Sequence, residues 1–198
     1  MFSKRPAAPS LPFPPPSPHF CFARARPSCI CRVPSVYVSH SYFLARLDAP
    51  RDISLPLAAA LLLLGLLSIY VNYEADWQRK HAREAHPGAS IWGQPASVIL
   101  AKYKAGRETK TSILLVSGWW GMARHFHYLP EILAAAFWSA PAALASDNKL
   151  IPLFYVGFLT VLLVDRAYRD EARCADKYGS SWKKYTQLVP YKIIPGVF

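Results

Sequence analysis

Two short stretches of the chain concentrate side chains that can bind a large anionic ligand. The first block, residues 117–128 (SGWWGMARHFHY), places two tryptophans, an arginine and two histidines directly before an apolar segment. The second block, residues 166–185 (RAYRDEARCADKYGSSWKKY), directly follows the last apolar segment. Indole rings supply flat stacking surfaces, and guanidinium groups donate paired hydrogen bonds to phosphates. These two blocks therefore form our candidate binding site.

The first block combines close backbone approach with several donors. Its two glycines allow a ligand near the main chain, and the following helix N-terminus favours anions. The side chains offered there are Trp119, Trp120, Arg124, His125, His127 and Tyr128. Two other interpretations remain open: a belt of interfacial tryptophans without chemistry, or a His-x-His metal pair. Since Glu131 is the only nearby carboxylate and no cysteine joins it, we predict no metal site.

The second block is predicted to extend the last apolar segment as a helix that ends at Tyr178-Gly179. Arginines at positions 166, 169 and 173 then recur on one helix face, with Asp170 and Cys174 beside them. Arginines suit phosphates, and a carboxylate suits ribose hydroxyls or an amide, so the combination favours a nucleotide cofactor. A solvated helix with local salt bridges is the alternative. No GxGxxG follows a strand, so a Rossmann-type site is excluded.

The loop before the first block adds a further pair of arginines. Arg79 and Arg83 are four residues apart, so they share one face of a helix that continues out of the membrane. Such a pair suits a phosphate group, whereas ordinary anchoring of a membrane segment is the alternative interpretation. Further on, β-branched and aromatic residues in 98–103 and 111–116 predict a short hairpin around Ala105-Gly106.

Three apolar segments must position these blocks. Residues 55–71 contain no charge, and with their flanks they reach the length of about 20 residues that spans a bilayer as a helix. The predicted spans are 54–73, 128–146 and 149–165, the last two joined by a polar turn at 147–149. The predicted fold class is therefore an all-α integral membrane protein with several spans and cytosolic cofactor-binding loops.

The charge pattern orients these spans. The net charge of +11 does not indicate nucleic-acid binding, because the basic residues lie beside apolar spans and form no basic face on a soluble domain. Residues 74–127 carry eight Lys or Arg and residues 166–198 carry seven, whereas the turn between the last two spans carries only Lys149. Because basic residues near spans mark the cytosolic side, both blocks are predicted to meet in the cytosol.

The N-terminal segment, residues 1–50, differs from the rest. It contains ten of the eighteen prolines and no acidic residue before Asp48. Three interpretations are open: a transit peptide, a disordered Pro-rich tail, or a segment that replaces the upstream spans of a longer protein. We favour the third interpretation. Its cysteines (Cys21, Cys29 and Cys31) lack zinc-ligand spacing. We assign residues 1–50 to a non-family segment and 51–198 to a membrane domain.

Long motifs within residues 55–198 resemble the sterol reductase family, in particular its plant and algal Δ7-reductase type. They are LLVSGWWGMARHFHYLPEI at 114–132, DRAYRDEARCADKYG at 165–179 with Trp182 and Tyr185, IWG at 91–93 and VPYKIIPGVF at 189–198. The resemblance implies a multi-pass enzyme of the endoplasmic reticulum membrane that uses NADPH to reduce the C7–C8 double bond of a sterol. Its implied partners are the sterol substrate and the lipid bilayer.

The resemblance also assigns site residues by position. Cofactor contacts are implied for Arg79, Arg83, Leu115, Trp120, His127, Tyr128, Asp170, Cys174, Ala175, Asp176, Lys177, Tyr178 and Tyr185. From the chemistry of the two blocks we add Arg124 and Arg169. Position 127 is asparagine in animal-type members, and the histidine here is similar to the plant form. The catalytic acid that protonates the alkene is left unassigned.

Two other functions remain open from the sequence. Membrane methyltransferases of the isoprenylcysteine carboxyl type share an Arg-His-x-x-Tyr element, but they carry proline where this chain has Phe126. A non-catalytic fragment that binds cofactor is the second alternative, because family members have more spans before residue 55. In that case the chain is a truncated form that assembles with other membrane spans or subunits of a sterol reductase.

Overall fold

The computed structural model describes residues 38–48, 50–105 and 108–197, and they form a mostly helical fold. In chain order the elements are α1 (Ser39–Leu44), α2 (Leu55–Glu84), β1 (Ser90–Ile91), β2 (Gln94–Pro95), β3 (Val98–Ala105), β4 (Glu108–Leu115), α3 (Trp119–Met122), α4 (Tyr128–Leu144), α5 (Leu150–Tyr178) and α6 (Ser180–Leu188). The three N-terminal cysteines and most of the Pro-rich segment lie outside the described residues.

Helix α2 joins the first predicted span to the charged run that follows it. Pro56 stands in its first turn, where the fixed φ of proline suits a helix start. At 1.5 Å per residue its 30 residues extend about 45 Å, well beyond the ~30 Å hydrocarbon core. The end that carries Arg79 and Arg83 therefore continues past the apolar part as one helix, which confirms this prediction.

Helices α4 and α5 form the predicted helical hairpin. The connecting turn is closed by Asn148, whose Oδ1 accepts a hydrogen bond from the Leu150 amide at 3.1 Å. A core of Tyr128, Ala135, Leu159, Leu163, Ala167 and Ile193 packs between the two helices and the C-terminal segment. Helix α5 ends at Tyr178 before Gly179, whose φ of 51° lies in the left-handed region. The second block is thus helical and ends where the sequence predicts.

Two of the described helices, α2 and α5, are long and apolar enough to cross a membrane. The apolar window of α2 is only 6% buried, so this helix is not the core of a soluble domain and needs lipid or another apolar partner around it. Helix α4, predicted as the span 128–146, has 17 residues and is shorter than these two. The number of crossings and the cytosolic side of the blocks stay predictions.

Strands β3 and β4 form the predicted hairpin. They pair antiparallel from Val98 opposite Leu115 to Ala105 opposite Glu108, so they extend further than the segments 98–103 and 111–116. The ring of Tyr103 meets that of Tyr178 edge-on at 5.6 Å, which fixes the hairpin against the end of α5. The hairpin thereby returns the chain from α2 to the first block.

Helix α1 shows that the end of the N-terminal segment is structured. It packs against α4 and α5, and its His40 is buried beside the rings of Trp138 and Tyr155. In the linker to α2, the Arg51 amide donates to the Ala145 carbonyl at 2.9 Å, and the Arg51 side chain pairs with Asp147. Residues 39–44 are therefore helical, while the boundary at residue 50 stays a prediction.

Candidate functional site

The two blocks meet through a buried ion pair. Arg124 of the first block donates from Nε to Glu171 Oε1 of the second at 2.6 Å, and its side chain is 6% exposed. Its Nη1 donates to the carbonyls of Val189 at 2.6 Å and Pro190 at 2.9 Å. The donors that we expected to face a ligand are thus used inside the protein. In this structure Arg124 connects the first block to α5 and to the C-terminal segment through these ion-pair and hydrogen-bond contacts.

The C-terminal segment, residues 189–197, closes the site from the other side. The amides of Arg124 and His125 donate to the carbonyls of Tyr191 at 3.0 Å and Lys192 at 2.7 Å. Ile193 then enters the core between α4 and α5. The motif VPYKIIPGVF therefore has a structural role, because it pairs with the backbone of the first block.

Trp120 lies at the centre of the site. Its indole Nε1 donates to the Ala75 carbonyl on α2 at 2.7 Å, which fixes the ring orientation. The guanidinium carbon of Arg79 lies over the ring at 4.6 Å from its centroid, within cation–π range. The Tyr185 hydroxyl donates to the Trp120 carbonyl at 3.4 Å. Helices α2, α3 and α6 thus converge on one buried indole.

A polar relay from α2 positions the tryptophan pair. Gln78, buried to 1% exposure, accepts a hydrogen bond at Oε1 from the Trp119 amide at 3.0 Å. Its Nε2 donates to Glu74 Oε1 at 3.1 Å, and the same oxygen accepts from the Trp92 indole at 2.9 Å. Sequence reasoning missed both Glu74 and Gln78. The available signal was their spacing of four residues within the charged run, which places them on one helix face.

Gly118 is required where the first block turns into α3. Its φ is 62°, a conformation that side chains rarely adopt. A Cβ at this position would also overlap the Gln78 side chain and approach Ile91 Cγ2 to 2.8 Å. The space beside this glycine, which we expected a ligand to occupy, is therefore filled by the Gln78 side chain.

His127 presents an uncharged nitrogen beside Trp120. The two ring centroids are 5.0 Å apart, and His127 Nδ1 is buried with no hydrogen-bond partner among the described residues. Burial, followed by the charge of Arg79, lowers the pKa of His127 to about 3. The imidazole is therefore neutral at physiological pH. A neutral ring with one unpartnered nitrogen can recognise an amide or hydroxyl of a ligand.

His125 is the second neutral histidine of the block. It stacks on Tyr128 with ring centroids 5.4 Å apart, and its Nε2 also has no partner within the described part of the chain. Burial lowers its pKa to about 4, although Glu171 and Asp170 act in the opposite direction. Burial therefore keeps both histidines of the first block uncharged. The positive charge of the site comes from arginines.

On α5 the arginines that share one face of the helix form different ion pairs. Asp170 Oδ2 lies 3.7 Å from Arg166 Nε, and the charge of Arg166 reaches His127. Arg169 instead pairs with Asp165 at 2.8 Å, with both side chains more than half exposed. Arg166, which the predicted cofactor set omits, is therefore the arginine of α5 whose charge acts on the first block.

Cys174 and Tyr185 complete the side of the site formed by α5 and α6. Burial raises the pKa of Cys174, with Asp170 adding to the effect and Arg79 opposing it. Burial likewise raises the pKa of Tyr185 to about 12. Both side chains are therefore uncharged at neutral pH, and the charge of Arg79 reaches both of them.

The remaining predicted residues lie around this centre rather than in it. Leu115 packs against Trp120 in a small core. Lys177 Nζ lies 4.1 Å from the centroid of the Tyr103 ring, and the Tyr178 hydroxyl lies 3.3 Å from Ser112 Oγ, so both contact the hairpin. The exposed positions are Arg83, one turn beyond Arg79 on α2, and Ala175 and Asp176 on α5.

These residues fit a phosphorylated, partly flat ligand. Arg79 and Arg83 supply guanidinium groups for phosphates, and the arginine–indole pair supplies a flat surface. The unpartnered nitrogens of His125 and His127 are neutral and match a polar uncharged group. A nicotinamide dinucleotide combines these three features, so the residues present suit such a cofactor.

The chain is similar to known sterol-metabolising proteins. Residues 27–198 match the ergosterol biosynthesis ERG4/ERG24 family, so the match begins within the Pro-rich segment that we assigned as non-family. The chain is 50% identical over 171 residues to an Arabidopsis thaliana protein named 7-dehydrocholesterol reductase, covering 86% of this chain and 38% of that protein.

Two further relatives carry a different name. Over 166 residues the chain is 39% identical to the mouse Delta(14)-sterol reductase TM7SF2, covering 84% of this chain and 36% of that protein. It is also 39% identical over 139 residues to a Delta(14)-sterol reductase of Methylotuvimicrobium alcaliphilum, covering 70% of this chain and 30% of that protein. The chain thus spans less than two fifths of the length of these curated relatives.

Proposed function

The chain belongs to the ERG4/ERG24 family of sterol reductases, and we propose that it reduces the C7–C8 double bond of a sterol with NADPH in the endoplasmic reticulum membrane. Family membership makes a carbon–carbon double bond of a sterol the reacting group. The choice of C7–C8 rests on the higher identity to the plant 7-dehydrocholesterol reductase than to the two Δ14-sterol reductases. Family membership also argues against the methyltransferase alternative.

The observation that carries this proposal is the contact of Arg79 with Trp120 beside a neutral His127. A nicotinamide ring is flat and bears an amide, so it requires a stacking surface and an uncharged polar partner. Because Trp120 is itself buried, the Arg79 guanidinium that lies on it provides the flat surface, and the unpartnered His127 Nδ1 provides the polar partner. Burial keeps His127 uncharged, so its ring can make a hydrogen bond with the amide of the nicotinamide.

Arginines close to Trp120 and His127 bind the phosphates of the cofactor. Arg79 and Arg83 lie one turn apart on α2, so they bind the negative groups of the dinucleotide from one side. Because the additional phosphate of NADPH adds negative charge that NADH lacks, this pair favours NADPH. Asp170, which pairs with Arg166 at 3.7 Å and with Arg173 at 3.4 Å, can accept a hydrogen bond from a ribose hydroxyl or the nicotinamide amide. Arg124 acts indirectly, because it positions the first block.

When bound, the cofactor supplies a hydride, and a proton completes the addition of two hydrogens across the alkene. The residues of this chain bind and orient the cofactor. Tyr185 and Cys174 stay protonated because of burial, so neither places a negative charge near the reacting ring. A dry and preorganised site of this kind strengthens the electrostatic interactions within it.

Product analysis tests the proposal. Membranes that contain the chain are incubated with 7-dehydrocholesterol and NADPH, and sterols are separated by gas chromatography and mass spectrometry. A parallel incubation contains a Δ14 sterol, and an Arg79→Ala membrane preparation is the control. NADPH-dependent loss of the C7–C8 double bond supports the proposal. Reduction of the Δ14 sterol alone contradicts the assigned position, and NADPH binding without any turnover favours the non-catalytic fragment.

A further inference from the structure

The turn between β1 and β2 holds a tryptophan in an unfavourable backbone conformation. The strands pair with Ile91 opposite Gln94, so Trp92 and Gly93 form the turn. Their φ angles are 51° and 76°, and a two-residue turn with positive φ at both positions favours Asn-Gly or Gly-Gly. A bulky residue at positive φ is an outlier, and such a conformation costs about 1–3 kcal/mol. The turn therefore carries an aromatic ring where its backbone favours a small residue.

The ring of Trp92 is held in place, yet much of it is not buried. Its indole Nε1 donates to Glu74 Oε1 at 2.9 Å, and its ring meets that of Trp119 edge-on with centroids 5.1 Å apart. Trp92 is nevertheless 59% exposed. The polar N–H of the indole is thus satisfied within the protein, while most of the apolar ring faces outward. Packing within the described part of the chain accounts for only part of the surface of this ring.

The bond to Glu74 sets the level of the ring relative to the membrane. Glu74 directly follows the predicted span 54–73, so it lies about 1.5 Å along α2 beyond the last residue of that span. Tyr70 and Tyr73, in the last turn of the span, are 61% and 71% exposed. Tyrosine and tryptophan are enriched where the hydrocarbon core meets the lipid headgroups. Trp92 therefore lies at the level of two exposed tyrosines at the end of the apolar part of α2.

We infer that Trp92 inserts into the headgroup region of the bilayer and anchors the β1–β2 turn to the lipid surface. Indole suits this region because its ring is apolar and its N–H is polar. A protein partner would also cover the ring, but the position of Trp92 beside the end of a span favours lipid. The anchor depends neither on the cofactor nor on the sterol.

The anchored turn is connected to the first block. Glu74, which accepts from the Trp92 indole, also accepts from Gln78 Nε2 at 3.1 Å. Gln78 Oε1 in turn accepts from the Trp119 amide at 3.0 Å, and the Trp119 ring contacts the Trp92 ring directly. A turn that is fixed at the lipid surface therefore holds the start of α3 at a set distance from the membrane.

Quenching by brominated lipid tests the anchor. The full chain is reconstituted into phosphatidylcholine vesicles whose lipids carry bromine high on the acyl chains, and tryptophan emission is compared with that in unbrominated vesicles. The emission of Trp92 is the difference between the wild type and Trp92→Phe, which keeps an aromatic ring. Because bromine quenches rings that contact lipid, we expect it to reduce this difference about twofold at an interfacial position.

Lys102 of β3 provides the matched control. It is exposed, and the adjacent Tyr103 contacts Tyr178, which lies about 20 Å along α5 beyond the predicted span 149–165. In Trp92→Phe/Lys102→Trp, the added emission is expected to resist brominated lipid and to be quenched by acrylamide from the water. If acrylamide alone quenches the Trp92 emission, water faces the ring, and if neither quencher acts, protein covers it. Either result would overturn the lipid anchor.

A second substitution guards against a folding defect. Trp92→Tyr keeps an aromatic ring with a hydrogen-bond donor beside Glu74, and its melting temperature is compared with that of the wild type. The emission lost in Trp92→Tyr is expected to be quenched by brominated lipid to the same extent as that lost in Trp92→Phe. A loss that bromine does not quench would contradict the anchor.

Discussion

The guanidinium of Arg79 lies on the indole face of Trp120, 4.6 Å from the ring centroid. Four residues before Arg79, the Ala75 carbonyl accepts a hydrogen bond from the same indole at 2.7 Å. One helix therefore both orients the ring and covers it with a positive charge. This contact joins the charged run after the first span to the first block.

Substitution of Arg166 is expected to weaken NADPH binding more than substitution of Arg169. After burial and the charge of Arg79, the charge of Arg166 also helps to lower the pKa of His127, whereas Arg169 pairs with Asp165. We expect Arg166→Ala to reduce NADPH affinity at least tenfold and Arg169→Ala by less than twofold, as measured by fluorescence titration. If Arg169→Ala has the larger effect, the arrangement of α5 proposed here is incorrect.

Gly118→Ala is expected to destabilise the protein. The left-handed φ alone costs about 1–3 kcal/mol, and the added methyl group would overlap Gln78. In a chain of this size each kcal/mol lowers the melting temperature by about 2–4 °C. Gly157→Ala on α5 is the matched control, because no atom outside the adjoining backbone of α5 lies within 4 Å of its Cβ position. Equal melting temperatures for the two variants would argue against a strained turn before α3.

Loss of the Arg124–Glu171 ion pair is expected to destabilise the junction of the two blocks. Removing one partner of a buried pair costs about 3–5 kcal/mol, and here Lys192 Nζ, 3.6 Å from Glu171, compensates in part. We therefore expect Arg124→Gln to cost about 3 kcal/mol in thermal unfolding followed in detergent. Arg173→Gln removes an exposed pair and should cost at most about 1 kcal/mol. If Arg124→Gln left the free energy of unfolding unchanged, the structural role assigned to this arginine would be contradicted.

The buried histidines predict that acid lowers the stability of the fold. Burial lowers the pKa of His127 to about 3 from the ordinary 6.5. Between these values the unfolded chain binds a proton that the folded chain does not bind, so the free energy of unfolding falls as pH falls below 6.5. The slope is at most about 1.4 kcal/mol per pH unit for each group.

Replacing the histidine tests this linkage. His127→Asn cannot take up the proton in either state, so its melting temperature should fall less than that of the wild type between pH 7.5 and 5. His125, whose pKa is about 4, and His40, whose pKa is also lowered by burial, contribute to the remaining slope. An identical fall in wild type and variant would show that His127 titrates normally in the folded protein.

Much of the fold follows from local sequence patterns. The apolar runs, the turn around Asn148 and the glycine after Tyr178 act within a few residues, so they predict α2, the α4–α5 hairpin and the end of α5. The β3–β4 hairpin is likewise local. The packing of α1 against α4 and α5 could not be predicted, because residues 39–44 have no apolar periodicity of their own and depend on contacts distant in sequence.

The site was predicted only in part, and for a similar reason. Residue types identify Arg79, Trp120 and His127 as candidates, and the structure brings these three together. Sequence alone could not show that Arg124 is used by Glu171 and the C-terminal carbonyls. Nor could it show that Gln78 fills the space opposite Gly118. Both facts depend on how separate elements pack.

Binding of NADPH beside Arg79 is measured as the affinity of the detergent-purified chain for NADPH. NADH and S-adenosylmethionine are the competing ligands, and Arg79→Ala is compared with Lys80→Ala, the neighbouring residue whose exposed side chain pairs with Glu84. We expect selective NADPH binding that Arg79→Ala weakens at least tenfold, about 1.4 kcal/mol, and that Lys80→Ala leaves unchanged. Binding of S-adenosylmethionine in place of NADPH, or NADPH binding that is indifferent to Arg79, would contradict this expectation.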